Sequence, residues 1–285
     1  MYTYIYLETN MSQNPLQQYF RQPKIYVGLP SQGAYSKPGT LEGDVSNMPI
    51  YGMTGLDEIL IKTPDALLTG ESTVRVIQSC CPGVKDAWEL SSIDLDLLLI
   101  AIRIATFGNS MTVEHKCSKC EADNEYDIEL GTLIEHYSNC RFSNKVTVGD
   151  LVVKIQPVTY RQTNDFSIKN FKIQQLIVQA NSIEDNEKRN DVLKEVFKQL
   201  GDLQYEVFVA TIEAVEVNDM VVTDRNHISE WLNNADKDVF DALKAHSEIN
   251  RTAWETPSFK TKCTHCETEN SVTIDMDFSS FFVGA

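Results

Sequence analysis

Two copies of one short pattern constrain the fold of this 285-residue chain more than any other feature. KCSKCEADNEYDIEL, residues 116–130, and KCTHCETENSVTIDM, residues 262–276, share a lysine, both cysteines, the next glutamate, an asparagine and an isoleucine. Segments that alternate apolar and polar residues flank both C-x-x-C motifs, and such alternation predicts β-strands. Because a C-x-x-C turn presents both sulfurs on one side of the backbone, each copy is predicted to be a β-hairpin that carries half of a tetrahedral metal site.

The two hairpins together predict one four-thiolate site, although a long segment separates them in the chain. The predicted ligands of a single structural Zn²⁺ are Cys117, Cys120, Cys263 and Cys266. Four cysteines complete the tetrahedron, so His115 and His265 are expected to be surface residues, and no coordination position stays open for catalysis. A redox disulfide in either pair is the alternative, but thioredoxin-like motifs stand where a strand meets a helix rather than between strands.

The composition excludes several classes of protein. The formal net charge is −16 and the isoelectric point is near 4.7, so a nucleic acid is not an expected partner. The longest apolar run, residues 97–107, contains Arg103 and is shorter than the roughly 20 residues of a membrane span, so no membrane is expected either. Residues 1–10 lack the basic start and cleavage site of a signal peptide. We therefore expect a reducing cytoplasm, where the seven cysteines are thiols or metal ligands.

The sequence contains no recognisable catalytic motif. Neither an enzymatic activity nor a small-molecule substrate is therefore expected. It lacks the phosphate-binding loop, the dinucleotide fingerprint, the H-E-x-x-H zinc motif and a nucleophile–base signature. Asp94 and Asp96 are close in sequence but diverge around a helix, and they are interpreted as helix-start charges. Cys80, Cys81 and Cys140 are interpreted as small core residues.

The pattern of elements predicts an α+β fold: a mixed N-terminal half with a buried central helix, a split two-hairpin zinc ribbon and an inserted α-helical subdomain. The predicted parts are an N-terminal arm with short strands (1–53), a helical core (54–110), the split ribbon with further strands (111–160 and 256–285) and the inserted helical subdomain (161–255). Thr54 and Thr63 stand at helix N-cap positions. The central helix is predicted over Ser92–Phe107, with Gly108 in the left-handed αL conformation after it.

Apolar residues near both ends are predicted to pack against other surfaces. QNPLQQYF, residues 13–20, is interpreted as a short helical turn with Leu16, Tyr19 and Phe20 on an apolar neighbour. In the inserted helices, Phe171 and Phe197 are assigned to the apolar faces. MDFSSFFVGA, residues 276–285, is aromatic-rich and is expected to be held down, either against the ribbon of its own chain or in a neighbouring subunit. Met11 is an alternative start of the chain.

Three segments of the first half carry a family resemblance. They are NPLQQYFRQPKIYVGLPSQGAY (14–35), MPIYGMTGLDEILIKTPDALLTGESTVRVIQSCC (48–81) and SSIDLDLLLIAIRIATFGNSMTVEHKCSKC (91–120). Together they resemble the baseplate protein family of T4-like contractile-tailed bacteriophages, whose members are baseplate hub subunits or hub-assembly factors. The resemblance covers about residues 14–135 and, beyond these, the second C-x-x-C motif and the SSFF ending.

The resemblance implies a non-enzymatic structural or assembly protein at the centre of a phage baseplate. Its implied partners are other baseplate, hub, tail tube or tape-measure proteins. Its implied location is the host cytoplasm during assembly and then the virion tail baseplate. An alternative function that the residues leave open is that of a zinc-ribbon protein that binds nucleic acid or regulates transcription. Four lysines near the cysteine turns favour it: Lys116, Lys119, Lys260 and Lys262. A thiol redox enzyme is a third hypothesis.

Overall fold

The computed structural model describes residues 14–63, 69–218, 220–274 and 281–282. Within these ranges the chain forms eight α-helices and two short 3-10 helices, Pro15–Tyr19 and Ala87–Glu89. The α-helices are α1 (Gly55–Ile61), α2 (Glu71–Cys80), α3 (Ser92–Phe107), α4 (Gly131–Asn139), α5 (Tyr160–Asn181), α6 (Asn186–Thr211), α7 (Arg225–Asn233) and α8 (Lys237–Ala253). Among the helices in these ranges, none is long and apolar enough to cross a membrane.

Ten strands pair into four antiparallel sheets in the same part of the chain. The strands are β1 (Ile25–Val27), β2 (Met48–Ile50), β3 (Ser110–Lys116), β4 (Asp123–Glu129), β5 (Lys145–Val148), β6 (Leu151–Ile155), β7 (Ile212–Val217), β8 (Met220–Val222), β9 (Phe259–Lys262) and β10 (Glu269–Val272). β1–β2, β3–β4 and β9–β10 are two-stranded, and β5 to β8 form a four-stranded sheet in chain order. This mixture of helices and small antiparallel sheets confirms the α+β class.

Helix α3 is the buried centre of the main core, as its sequence predicts. The helix spans the predicted residues, and its leucines and isoleucines at positions 97, 98, 100 and 102 have no exposed surface. A helix that is apolar on nearly all sides must be covered on nearly all sides, and α2, α4, α5, β1 and β2 pack around this one. Gly108 follows it with φ 99° and ψ 177°, so φ is positive as expected but the conformation is not αL.

The C-terminal end docks onto its own chain at α3. Phe281 and Phe282 are buried in the main core. The guanidinium of Arg103 donates from Nη1 to the Phe281 carbonyl oxygen at 2.5 Å and lies over the Phe281 and Phe107 rings. For these two residues, docking on the same chain is confirmed, and helix α3 is the element that holds Phe281. The other tail residues at 275–280 and 283–285 lie outside the described ranges.

The segment 161–255 is not helical throughout, and this corrects the prediction. Helices α5 and α6 pack as an antiparallel hairpin, but the chain then becomes extended at Ile212 and forms β7 and β8. β7 pairs with β6, with Val153 opposite Val215. Side chains of this sheet and of α7 and α8, including Leu232 and Leu243, form a second hydrophobic core. Helix α4 was also not predicted; it follows β4 directly and buries Leu133 on the main core.

Several side chains that were predicted to pack are exposed. The turn at Pro15–Tyr19 forms as predicted, but Leu16, Tyr19 and Phe20 are mostly exposed, so the described part of their own chain does not provide the apolar neighbour. Phe171 and Phe197 are also exposed, because α5 and α6 bury only the side on which they meet each other and the sheet. Thr54 caps α1 as predicted, through a capping box with Asp57. The helix predicted after Thr63 falls on residues 64–68, outside the described ranges.

Candidate metal centre

The two C-x-x-C turns have the same backbone structure. In the first turn, Cys117 N donates to Ala122 O at 2.9 Å, and Glu121 N donates to Cys117 O at 3.0 Å. The equivalent bonds of the second turn, donated by Cys263 N and Glu267 N, have the same lengths. Glu121 and Glu267 both adopt the left-handed conformation, with φ 57°. The repeat in the sequence is therefore a repeat of one local structure at the ends of two hairpins.

The structure brings all four cysteine sulfurs together, within 4.8 Å of one another. Cys117 Sγ lies 3.7 Å from Cys266 Sγ, and Cys120 Sγ lies 3.6 Å from Cys263 Sγ, so both of these pairs join one hairpin to the other. Four sulfurs about 2.3 Å from a central metal form a tetrahedron with edges of about 3.8 Å. Disulfide sulfurs lie only about 2.05 Å apart. The spacing therefore fits a four-thiolate metal site and not a disulfide, and all seven cysteines are free thiols.

The turns also favour the thiolate form that binds metals. The N–H groups of Cys120 and Lys119 lower the pKa of the Cys117 thiol to about 6. Burial disfavours the Cys263 thiolate, but two N–H groups of its own turn outweigh this effect and lower its pKa. The N–H of Ala122 favours the Cys120 thiolate, yet the neighbouring sulfurs, which share protons with it, raise its pKa to about 12. A divalent cation would replace such shared protons, because metals bind cysteine as the thiolate.

Two asparagines, one from each hairpin, accept hydrogen bonds from the C-x-x-C turn of the opposite hairpin. Asn124 Oδ1 accepts hydrogen bonds from Thr264 N and Thr264 Oγ1, each at 2.9 Å. Asn270 Oδ1 accepts the corresponding bonds from Ser118 N and Ser118 Oγ, at 3.4 and 3.3 Å. Both asparagines are nearly fully buried. An asparagine occupies this position in both sequence repeats, and that match could have marked it as functional. The sequence alone assigned it no role, because each asparagine bonds to a turn in the other half of the chain.

The other cysteines lie outside the cluster, in the core as predicted. Cys80 and Cys81 have no exposed surface, and burial raises the pKa of their thiols to about 12 and about 11. Cys140 donates its thiol proton to the Ala253 carbonyl oxygen at 3.0 Å. None of these three thiols belongs to a group of three or more metal-ligating side chains among the described residues. The metal-site chemistry of the described residues is therefore concentrated in the four cysteines of the two turns.

The surface around the cysteine turns is acidic rather than basic. Residues 110–129 and 259–272 contain eight acidic residues and four lysines. Asp123, Glu125, Asp127 and Glu129 are exposed along a single face of β4. Phosphate binding requires the opposite sign of charge. This charge distribution disfavours the hypothesis of a nucleic-acid-binding zinc ribbon.

A cavity of about 540 Å³ lies between α5, α6, α8 and the four-stranded sheet, and none of the clustered cysteines lines it. Its wall is mostly apolar and includes Phe166, Phe208 and Trp254. His246 lies at its edge, where Nε2 hydrogen-bonds to the Ser143 carbonyl oxygen at 2.7 Å. That bond gives His246 a structural role between α8 and the segment before β5.

The fold and the site define a mixed α+β protein in which four cysteines join two distant segments. A family model described as T4 bacteriophage base plate protein matches residues 56–283, which is most of the chain. The chain therefore belongs to the T4 bacteriophage base plate protein family. Comparisons with curated proteins and with solved structures found no match.

The family match confirms the resemblance seen in the sequence and extends it. The resemblance covers about residues 14–135, whereas the match begins at residue 56 and includes both C-x-x-C motifs and the segment between them. Membership implies a structural phage protein located in the virion tail.

Proposed function

We propose that this protein is a non-enzymatic structural or assembly component of the phage baseplate hub, and that one structural Zn²⁺ stabilises its fold. The family match over residues 56–283 carries the assignment to the baseplate. The position at the hub follows from the resemblance of residues 14–35, 48–81 and 91–120 to hub subunits and hub-assembly factors. The protein is made in the host cytoplasm and enters the tail baseplate of the virion.

The proposed zinc ligands are Cys117, Cys120, Cys263 and Cys266. Their mutual distances match the edges of a tetrahedral thiolate site, and such a donor set suits zinc or iron. Zinc in a closed four-cysteine shell supplies folding free energy and no open position for a substrate. Its role here is to fasten hairpin β9–β10 onto hairpin β3–β4, which completes a split zinc ribbon.

We keep the predicted division of the chain as part of this proposal: residues 1–53, 54–110, 111–160 with 256–285, and 161–255. The cysteine cluster supports the split ribbon, because it joins segments on either side of the insertion. The insertion carries strands as well as helices, and its strand β7 pairs with β6 of the preceding segment.

Exposed apolar side chains are the proposed contact points for other baseplate, hub, tail tube or tape-measure proteins. Leu16, Tyr19 and Phe20 lie exposed before the family-matched region, and Leu56 and Ile59 are exposed on α1. Large apolar side chains that stay in water are typical of surfaces that later become covered. Assembly into a baseplate would bury them.

The test is mass spectrometry of purified tails combined with deletion of the gene. A structural component is expected at constant stoichiometry in tails, and its deletion is expected to leave baseplates incomplete. Absence of the chain from tails, together with failed assembly in the deletion, would assign it to assembly alone. Complete and infectious tails after deletion would refute both forms of the proposal.

A further inference from the structure

The amide nitrogens of Asn124 and Asn270, the equivalent asparagines of the two repeats, differ in how they are bonded. Asn124 Nδ2 donates to Ala122 O at 2.9 Å and lies 3.6 Å from Cys263 Sγ, within hydrogen-bond distance of a sulfur acceptor. Asn270 Nδ2 is buried and has no hydrogen-bond partner among the described residues. A buried donor without an acceptor is costly, so a native structure normally provides one.

The pseudo-twofold relation between the hairpins identifies the missing acceptor. Asn124 bonds through Oδ1 to the turn that contains Cys263 and through Nδ2 to the Cys263 sulfur. Asn270 bonds through Oδ1 to the turn that contains Cys117. The equivalent acceptors for Asn270 Nδ2 are therefore Thr268 O, the counterpart of Ala122 O, and the Cys117 sulfur. The sulfur accepts hydrogen bonds far better as a metal-bound thiolate than as a thiol.

We propose that Asn124 and Asn270 are the positioning residues of the metal site, each acting on the hairpin to which it does not belong. The oxygen of each amide holds the opposite C-x-x-C turn in place. The nitrogen of each amide donates to one thiolate of that turn, Cys263 for Asn124 and Cys117 for Asn270. This inference rests on the proposed zinc site.

The function of the asparagine N–H groups is to offset the negative charge of the four-thiolate site. Four thiolates and one Zn²⁺ carry a net charge of −2, in a chain whose own formal charge is already −16. The nearby lysines, such as Lys119 and Lys262, are exposed, whereas both asparagines are buried and Asn124 Nδ2 lies 3.6 Å from the Cys263 sulfur. Neutral donors of this kind disperse thiolate charge and orient the ligands, as outer hydrogen-bond partners do at other metal sites.

The exchange of asparagines between hairpins also couples the two halves of the site. Each C-x-x-C turn is completed by a side chain from the other hairpin, so neither half reaches its final geometry alone. Metal binding and hairpin docking are then one cooperative event. Loss of either asparagine should weaken the ligands of the opposite turn.

The test compares Asn124→Asp and Asn270→Asp, which keep the oxygen acceptor and lose the N–H donor, with Asn190→Asp on the exposed face of α6 as the control for added charge. Zinc affinity is measured by competition with a chromophoric chelator. Each of the two cluster variants is expected to bind zinc about 10- to 100-fold more weakly than the wild type. The control variant Asn190→Asp is expected to bind zinc as tightly as the wild type does.

A spectroscopic readout separates positioning from general stability. In the Co²⁺-loaded protein, loss of an N–H···S bond leaves the thiolate easier to oxidise, so the sulfur-to-cobalt charge-transfer band is expected to move to longer wavelength. Asn124→Ala and Asn270→Ala are expected to shift it in the same direction and cover the case in which a buried aspartate prevents folding. Ser118→Ala and Thr264→Ala lose only the hydroxyl donor to the amide oxygen and are expected to leave the band in place.

The outcomes distinguish this inference from the proposed zinc site. Wild-type affinity and an unmoved cobalt band in all four asparagine variants would overturn the positioning role and leave the zinc site standing. A wild-type protein that binds neither zinc nor cobalt would overturn both. Weaker zinc binding with a shifted band, in variants whose far-ultraviolet circular dichroism is that of the wild type, supports the role.

Discussion

Asp94 illustrates how burial changes the role of a single charged residue. The sequence places it in the first turn of a helix, where an acid normally offsets the helix dipole from the solvent side. In the structure it does lie in the first turn of α3 but has no exposed surface. Its carboxylate accepts hydrogen bonds from Ser31 N at 2.9 Å and Ser31 Oγ at 2.6 Å. Asp94 therefore fastens the glycine-rich N-terminal loop to the central helix, which its sequence position does not reveal.

The first prediction concerns the pH dependence of stability at Asp94. Burial raises the pKa of this carboxyl from 3.8 to about 6, against the opposing effect of the two Ser31 hydrogen bonds. Between pH 4 and pH 6 the folded state therefore holds a proton that the unfolded state has lost, so this residue's contribution to stability falls as the pH rises. The variant Asp94→Asn, which resembles the neutral acid, should gain about 2–3 kcal/mol relative to the wild type between pH 4 and pH 8.

Urea unfolding of both proteins at the two pH values measures this difference. Partial burial also raises the pKa of Asp96 to about 6, so only the comparison of wild type with Asp94→Asn isolates Asp94. A free-energy difference between the two proteins that does not change with pH would contradict the prediction.

At the scale of single residues, the sequence predicted the grouping of the cysteines better than the roles of the residues around them. The C-x-x-C spacing determines which sulfurs share one side of a turn, so the sequence alone predicted which four of the seven cysteines lie together. The roles of Asn124 and Asn270 could not be predicted, because each depends on the position of the opposite hairpin. The exposure of Phe197 could not be predicted either, since a helix with apolar residues on several faces does not reveal which face will be covered.

At the scale of elements, the end of the chain makes the clearest prediction. Phe281 is fully buried against α3, and its carbonyl oxygen is held by Arg103. Replacement of a buried phenylalanine by alanine leaves a cavity, so Phe281→Ala should lower the free energy of unfolding of the isolated protein by about 3–5 kcal/mol. Phe171→Ala, on the exposed face of α5, is the matched control and should change it by less than about 0.5 kcal/mol.

Chemical denaturation of the purified protein measures both changes. If the C-terminal aromatic residues served only a neighbouring subunit, Phe281→Ala would leave the isolated chain as stable as the control variant does. That result would reinstate docking between subunits.

The elements themselves were predictable where the local pattern and the tertiary context agree. Helix α3 has an apolar run with a serine before it and a glycine after it, so both of its ends were predictable. Strand β7 follows α6 with no glycine or proline between them, and IEAVEV fits a helix as well as a strand. Only its pairing with β6, more than fifty residues earlier in the chain, decides between the two. Helix α4 was missed because its N-cap residue is Leu130, which makes no side-chain capping hydrogen bond and is not a typical start signal.

At the scale of the whole molecule, the cysteine cluster closes a long loop of the chain. Residues 117 and 263 meet there, and the helical hairpin and the four-stranded sheet lie between them in sequence. A metal at this position would bind the folded state and not the unfolded one, so its removal must destabilise the molecule. Zinc-depleted protein, or Cys263→Ser, should therefore melt at least about 10 °C lower than the zinc-bound wild type.

The control for this prediction is Cys140→Ser, which changes a thiol outside the cluster and keeps a hydrogen-bond donor for Ala253. Differential scanning calorimetry with and without a chelator measures the effect. Equal melting temperatures for the wild type and Cys263→Ser, both unaffected by the chelator, would show that the cluster does not stabilise the fold through a metal.

The exposed apolar residues of the inserted hairpin give a prediction about assembly. Phe171 and Phe197 are both mostly exposed, so the double change to serine should leave the free energy of unfolding nearly unchanged. If these side chains contact other baseplate proteins, phage complemented with the double variant should yield at least about tenfold fewer infectious particles, since buried aromatic contacts dominate interfaces. Lys194→Ser on the same helix is the control, and an undiminished yield from the double variant would exclude this face from assembly.

The central claim is that one metal ion is held between two distant hairpins. Elemental analysis by inductively coupled plasma mass spectrometry, on reduced wild-type protein and on Cys117→Ser with Cys263→Ser, tests this most directly. We expect one zinc ion per wild-type chain and none in the double variant. A folded, reduced wild-type protein without bound metal would contradict the claim.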